Sequence, residues 1–213
     1  MNIGILGSGD VAKSLAQGFL QQGHAVMLGT RDSSKLSEWQ SAGGKAQLGT
    51  VAAAAKFGEV LLLAVKGTAA SAVLRDAGVA NLKGKVVIDA TNPIADKPPV
   101  NGVLQFFTGS NESLMESLQS EFPDVQFVKA FNSVGHARMV QPHYDEGVPT
   151  MFICGNSDAA KQTADKLIQS LGWGVVDMGK VEAARAIEPL CMLWCILGFK
   201  NNEWTHAFKL LRN

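Results

Sequence analysis

The stretch Gly7-Ser8-Gly9-Asp10-Val11-Ala12 has the residue types and spacing of a phosphate cradle. It fits the G-x-G-x-x-A pattern, in which each small residue has a mechanical job. Gly7 permits a tight turn. Gly9 lets the backbone approach a pyrophosphate with no Cβ in the way. Ala12 lets a helix pack closely on a strand. A pyrophosphate at this turn would meet free N–H groups and the positive end of a helix dipole. A second cluster, Gly29-Thr30-Arg31-Asp32-Ser33-Ser34-Lys35, bears on which nucleotide is bound. An NAD site usually carries an acid here to bind the ribose 2′-OH. A hydroxyl (Thr30), a guanidinium (Arg31) and an ammonium one turn on (Lys35) suit a 2′-phosphate instead. The expected cofactor is therefore NADP(H). Asp32 is expected to be a turn or N-cap residue that points away.

Three further tetrapeptides follow apolar runs: Ala64-Val65-Lys66-Gly67, Ala90-Thr91-Asn92-Pro93 and Ala130-Phe131-Asn132-Ser133. Ligands of open parallel sheets bind beyond the strand C-termini. Val65, Lys66, Asn92, Pro93, Ala130 and Asn132 thereby become candidate site residues. Each Asn can bond a carboxamide or a ribose, and each is also an ordinary turn former. No Ser-His-Asp, Cys-His or paired-carboxylate arrangement competes with this reading. His24, His136, His143 and His206 lack zinc-ligand spacing, and no metal is expected. Cys191 and Cys195 fall on one helix face without a further His or Cys partner, so they read as small core residues. With Cys154 they fit a reducing compartment.

The elements that must position these residues alternate between strand and helix, which implies a parallel sheet covered on both faces. Strands are predicted at residues 3–6, 24–28, 45–48, 59–65, 85–90, 125–130, 149–154 and 174–178. Helices are predicted from the glycine turn to residue 22 and at 50–57, 113–122, 159–171, 181–199 and 202–211. Residues 92–109 read as a Pro- and Gly-rich loop. The expected architecture is α/β, a Rossmann-type doubly wound, mostly parallel sheet in a single domain over 1–213, with C-terminal helices over 181–213. Of the 213 residues 46% are hydrophobic, enough for a sizeable core, and Lys+Arg balance Asp+Glu at 19 each. That balance provides no footprint for nucleic acid or an anionic membrane. The longest apolar stretch, 186–199, is broken by Glu188 and Pro189 and too short to span a bilayer. With Met1 running straight into the first strand, a soluble cytoplasmic protein is expected.

Six motifs in order are Gly-Ser-Gly-Asp-Val-Ala, Gly-Thr-Arg-Asp, Asp-Ala-Thr-Asn-Pro, Val-Lys-Ala-Phe-Asn, Pro-Thr-Met-Phe-Ile-Cys-Gly and Val-Val-Asp-Met-Gly. They resemble the NADP oxidoreductase, coenzyme F420-dependent family, and are similar to the cytosolic oxidoreductase domain of the STEAP metalloreductases. The resemblance covers nearly the whole chain. It implies a Rossmann fold binding NADPH, with hydride passing to a flavin or deazaflavin stacked on the nicotinamide. By motif matching it implies Ser8, Gly9, Asp10 and Val11 at the pyrophosphate and ribose. It implies Thr30 and Arg31 at the 2′-phosphate, and Val65, Asn92, Ala130 and Asn132 on the nicotinamide side.

Two other functions stand beside hydride transfer to a flavin-like ring. Reduction of a small carbonyl or imine needs a proton donor near the nicotinamide, for which His136 and Lys66 are the candidates. A non-catalytic NADP sensor would bind without turnover. Helix 181–199 is apolar on several faces, whereas a surface helix should show one stripe. A second subunit is the simplest cover, so a homodimer is expected. The same helix, through Arg185, Glu188 and Trp194, is expected to shape an acceptor pocket with loop 92–109.

Overall fold

The computed structural model describes residues 1–212 and, at Lys35, the backbone without the side chain, so the Lys35 expectation lies outside the described residues. The elements, in order, are β1 Asn2–Leu6, α1 Asp10–Gln21, β2 Ala25–Gly29, α2 Ser37–Ser41, β3 Gln47–Gly49, α3 Val51–Phe57, β4 Val60–Leu63 and α4 Ala70–Ala77. They continue with α5 Val79–Leu82, β5 Val86–Asp89, α6 Leu114–Glu121, β6 Gln126–Lys129, β7 Thr150–Ile153, α7 Asp158–Ser170, β8 Gly174–Asp177 and α8 Ala184–Asn201.

The first six strands form one parallel sheet in the order β3-β2-β1-β4-β5-β6. This is the doubly wound Rossmann order, with its switch point between β1 and β4. Successive strand residues face opposite sides of a sheet, and the core divides accordingly. Ile3, Ile5, Leu62, Ile88 and Val128 pack with Leu15 and Phe19 of α1 and Leu167 of α7. Leu6, Leu61, Leu63, Val87 and Phe127 pack on the other side with Ala54 of α3, Leu74 of α4 and Leu118 of α6. Burial on both faces explains why β4 reads Val-Leu-Leu-Leu without alternation.

Three expectations are corrected. The last two strands pair with each other in a separate parallel ribbon, joined to the main sheet by Lys129 N–H donating to Cys154 C=O at 3.0 Å. Helices α4 and α5, for which no helix was expected, follow β4 and bury Leu74 and Leu82 in the core. No helix forms at 202–211. Asn202 takes a left-handed conformation (φ 56°) and ends α8. The Trp204 ring then lies against Gly198, where an added Cβ would come within 2.2 Å of it. Beyond it the chain runs along β7, with Thr150 N–H donating to Phe208 C=O at 2.8 Å and Leu210 N–H to Thr150 Oγ1 at 3.0 Å. The backbone groups a helix would have used internally thus bond the β7 edge.

Loop 92–109 contains no helix or strand, yet it is tied to itself. Val100 and Val103 exchange two backbone hydrogen bonds, and Phe107 N–H donates to Pro93 C=O at 2.9 Å. Among the described residues no helix is long and apolar enough to cross a membrane.

Candidate functional site

The C-terminal ends of β1, β2, β4 and β5 open into a cavity of about 470 Å³. Its lining includes Gly7, Ser8, Gly9, Asp10, Val11, Thr30, Arg31, Val65 and Lys66, which the sequence had proposed separately. Gly7 has φ 145°, a region L side chains rarely adopt, and a Cβ there would meet Ala64 C=O at 2.1 Å. Gly9, the N-cap of α1, differs: a Cβ would meet nothing within 4 Å, because the space in front of it is open cavity. No side chain caps α1, so its first-turn N–H groups are offered to that space. Ala12 is fully buried under the sheet. An uncapped helix end facing an open cradle fits a pyrophosphate, and Ser8, Gly9, Asp10 and Val11 would hold it.

At the far end, Thr30 Oγ1 donates to Ser8 Oγ at 3.3 Å, joining the end of β2 to the glycine turn. Arg31 is exposed at the rim. Asp32 is the expected N-cap: its carboxylate accepts from Ser34 N–H at 3.0 Å and from Ser34 Oγ at 2.6 Å. It also lies along the cavity wall, rather than wholly away from it.

A second cavity, about 560 Å³, continues from the first and shares Val65, Lys66 and Ala90 with it. Its other walls are Gly67, Asn92 and loop residues Ile94, Ala95, Asp96, Lys97 and Pro98. Lys66 Nζ and Asp96 Oδ1 meet at 3.6 Å on its exposed rim. Loop 92–109 therefore contributes to this cavity, but the named α8 residues do not; Arg185 and Glu188 instead line a smaller recess of about 260 Å³ with Phe106, Thr108 and Gly109 of the loop. Arg185 is bonded to Glu116, Glu188 is buried, and the Trp194 ring stacks on His206 at 4.9 Å. His136 also lies elsewhere. Its Nδ1 is 3.4 Å from Ser14 Oγ beside Trp39, on another face of α1.

Pro93, Ala130 and Asn132 are buried behind these cavities. Asn132 Nδ2 donates to Asn92 Oδ1 at 3.1 Å and to Ile187 C=O at 2.9 Å, while Asn92 Nδ2 donates to Asn132 C=O at 2.7 Å. Asn132 Oδ1 is buried with no hydrogen-bond partner among the described residues. The preceding residue, Phe131, is buried at φ 60°, an outlier for an aromatic of the kind that concentrates at functional sites.

Sequence reading missed the cluster beneath. Lys129 Nζ lies 2.6 Å from Asp89 Oδ2 and 2.9 Å from Glu188 Oε1, with all three side chains at most 1% exposed. Burial alone would lower the lysine's pKa, but the Asp89 and Glu188 charges outweigh it and hold the ammonium above its ordinary range. Burial pushes the nearby Cys154 thiol up to about 12, so it stays protonated at neutral pH. The available signal was one charge in each of three mainly apolar segments: Val-Val-Ile-Asp, Val-Gln-Phe-Val-Lys and the 186–199 stretch of α8.

Comparisons with known proteins agree with this geometry. The family described as NADP oxidoreductase coenzyme F420-dependent matches residues 2–93. A candidate F420-dependent NADP-reductase from Arthrobacter sp. FB24 has a structure similar to this one. It is 30% identical, with 99% of each chain covered and a TM-score of 0.92. The F420-dependent NADP reductase of Methanothermobacter marburgensis is 28% identical over 94% of each chain. Metalloreductase STEAP3 of Rattus norvegicus is 32% identical over 188 residues, 88% of this chain but 36% of that protein. The chain thus spans about a third of the curated metalloreductases it matches. With the Rossmann sheet, the glycine cradle and a full-length relative in agreement, the chain belongs to the NADP oxidoreductase, coenzyme F420-dependent family.

Proposed function

We propose that this member of a family of NADP-dependent oxidoreductases transfers hydride between NADP(H) in the first cavity and a flavin or deazaflavin ring in the second. The observation that carries this reading is the wall of Val65, Lys66 and Ala90 common to both cavities. A nicotinamide resting on that wall would supply the hydride, and the space beyond it, walled by Ile94, Ala95 and Pro98 with Lys66 and Asn92, has room for a planar acceptor. The protein's own contribution is to orient. Ser8, Gly9, Asp10 and Val11 hold the pyrophosphate, and Thr30 and Arg31 hold the 2′-phosphate. Orientation of two reactants can supply several kcal/mol of a barrier. Carbonyl or imine reduction would need a proton donor, and His136 lies outside both cavities. We further infer that the protein works in the cytoplasm as a homodimer.

The test is NADPH oxidation against FMN, riboflavin, a deazaflavin and a panel of ketones and imines, with NADPH binding followed by fluorescence. Tight binding and oxidation with the flavin-type acceptors is the expected result. Turnover only with ketones or imines would replace the acceptor class. Binding with no turnover against the whole panel would leave a sensor.

A further inference from the structure

The buried charges under the site are arranged for placement. Asp89 and Lys129 are register partners at the ends of β5 and β6, so their side chains meet across adjacent strands. Asp89 Oδ1 accepts from Thr91 N–H at 2.9 Å and Thr91 Oγ1 at 2.7 Å, and Lys129 Nζ donates to Thr91 C=O at 2.9 Å. The backbone of Thr91 is thereby gripped on both sides, one residue before Asn92. Glu188 reaches in from α8. Its Oε2 accepts from Leu114 N–H at 2.9 Å and its Oε1 from Met115 N–H at 3.0 Å, so it also caps the N-terminal end of α6. The neighbouring α8 residue, Ile187, accepts from Asn132. Consecutive residues of α8 therefore hold the end of β6 and, through Lys129, the turn after β5. Buried ion clusters are a weak source of stability, because desolvation offsets the attraction. Fixing one geometry is the more economical account of three charges sealed beneath a site.

We propose that Asp89, Lys129 and Glu188 are positioning residues that fix the Thr91–Asn92 turn, and hence the Asn92 amide in the second cavity, and make that placement depend on α8. This rests on the hydride-transfer reading for its kinetic consequence but not for its structural one. Glu188→Gln removes the charge facing Lys129 with little change in volume, and turns one oxygen into an NH2 group that faces an N–H or ammonium donor.

The experiment uses the full chain and reads three quantities. These are the side-chain NH2 resonance of Asn92 (assigned with Asn92→Asp), NADPH affinity, and kcat with FMN. Glu188→Gln should shift the Asn92 resonance and lower kcat at least tenfold, with NADPH affinity within threefold of wild type. Asn92→Ala should give the same loss, and the double variant no more. A Glu188→Gln protein with lower thermal stability but an unmoved resonance and unchanged kcat would overturn the proposal. If the wild type turns over no flavin, the acceptor reading fails, and the resonance still decides this one. Should Glu188→Gln not fold, Asp89→Asn keeps an acceptor for Thr91 while removing the charge facing Lys129, and is read the same way.

Discussion

Thr30 Oγ1 and Ser8 Oγ lie 3.3 Å apart, so the residue after β2 is bonded directly to the turn after β1. The turn after β2 and the glycine turn are thus linked side chain to side chain, with Arg31 exposed at the outer edge. Arg31→Ala should weaken NADPH binding by about 1.5–3 kcal/mol, the usual worth of a hydrogen bond to a charged group, and leave NADH nearly unchanged. Titration of both nucleotides against wild type and variant checks this. Equal losses would show that Arg31 does not read the 2′-phosphate.

The two cradle glycines predict opposite phenotypes. Gly7→Ala drives a Cβ to 2.1 Å from Ala64 C=O at a positive φ, so the variant should be strongly destabilised. Gly9→Ala places its methyl in open cavity and should melt close to wild type. Its NADPH affinity should fall at least tenfold, about 1.4 kcal/mol, because the methyl occupies space the pyrophosphate needs. Melting curves with and without NADPH separate the two effects. A Gly9→Ala protein that binds normally would mean the anion is not held there.

Much of this was legible because local sequence carries it. The Gly7–Ala12 cradle, the helix starts near residues 50, 113 and 158 and the apolar runs of β4 and β5 depend on near neighbours. What was missed depends on distant ones. The Asp89–Lys129 contact follows from strand register, and Glu188 joins it from 59 residues beyond Lys129. The tail at 202–211 has helix-compatible composition, but the β7 edge claims its backbone at Phe208 and Leu210. The α8 helix read as apolar all round, yet it has one buried stripe of Ala184, Ile187, Glu188, Cys191, Trp194 and Gly198. Only packing reveals which faces are covered.

The uncovered face of α8 carries the assembly prediction. Leu193 and Leu197, one turn apart, are exposed there, while Phe199 is exposed on a different side of the helix, beside Gly102 of the Val100–Val103 turn. The Leu193–Leu197 pair offers a second copy of the chain an apolar face to pack on. We expect a homodimer by light scattering at micromolar concentration. Leu193→Asp with Leu197→Asp should give a monomer that keeps its fold. A monomeric wild type would refute the assignment.

Acid stability should depend on a contact outside the site. Arg185 Nε lies 3.1 and 3.0 Å from the Glu116 oxygens, and the guanidinium hydrogen bond holds the Glu116 carboxyl below its ordinary value of 4.5. A carboxylate with a lowered folded pKa adds stability that is complete above its unfolded value and is lost as pH falls through the folded one. Between pH 5 and pH 3 the wild type should therefore lose stability more steeply than Glu116→Gln. Denaturant midpoints across that window give the comparison, and parallel slopes would mean the pair contributes nothing to the acid transition.

The placement of His136 separates two mechanisms. Hydride transfer between stacked rings needs orientation and no protein acid acting on carbon. Carbonyl or imine reduction needs a donor within hydrogen-bond reach of the developing charge. His136 Nδ1 lies near Ser14 Oγ at 3.4 Å, in a recess lined by Trp39, Gln17 and Val140, outside both cavities of the site. His136→Ala should accordingly change the rate less than tenfold, with NADPH affinity intact. Lys66, the other candidate donor, sits on the shared wall but is exposed and faces Asp96. Lys66→Ala should raise KM for the acceptor more than it lowers kcat, as expected of a rim residue that binds rather than reacts. If either variant instead abolished turnover while NADPH still bound, proton donation to a carbonyl or imine would be the better account.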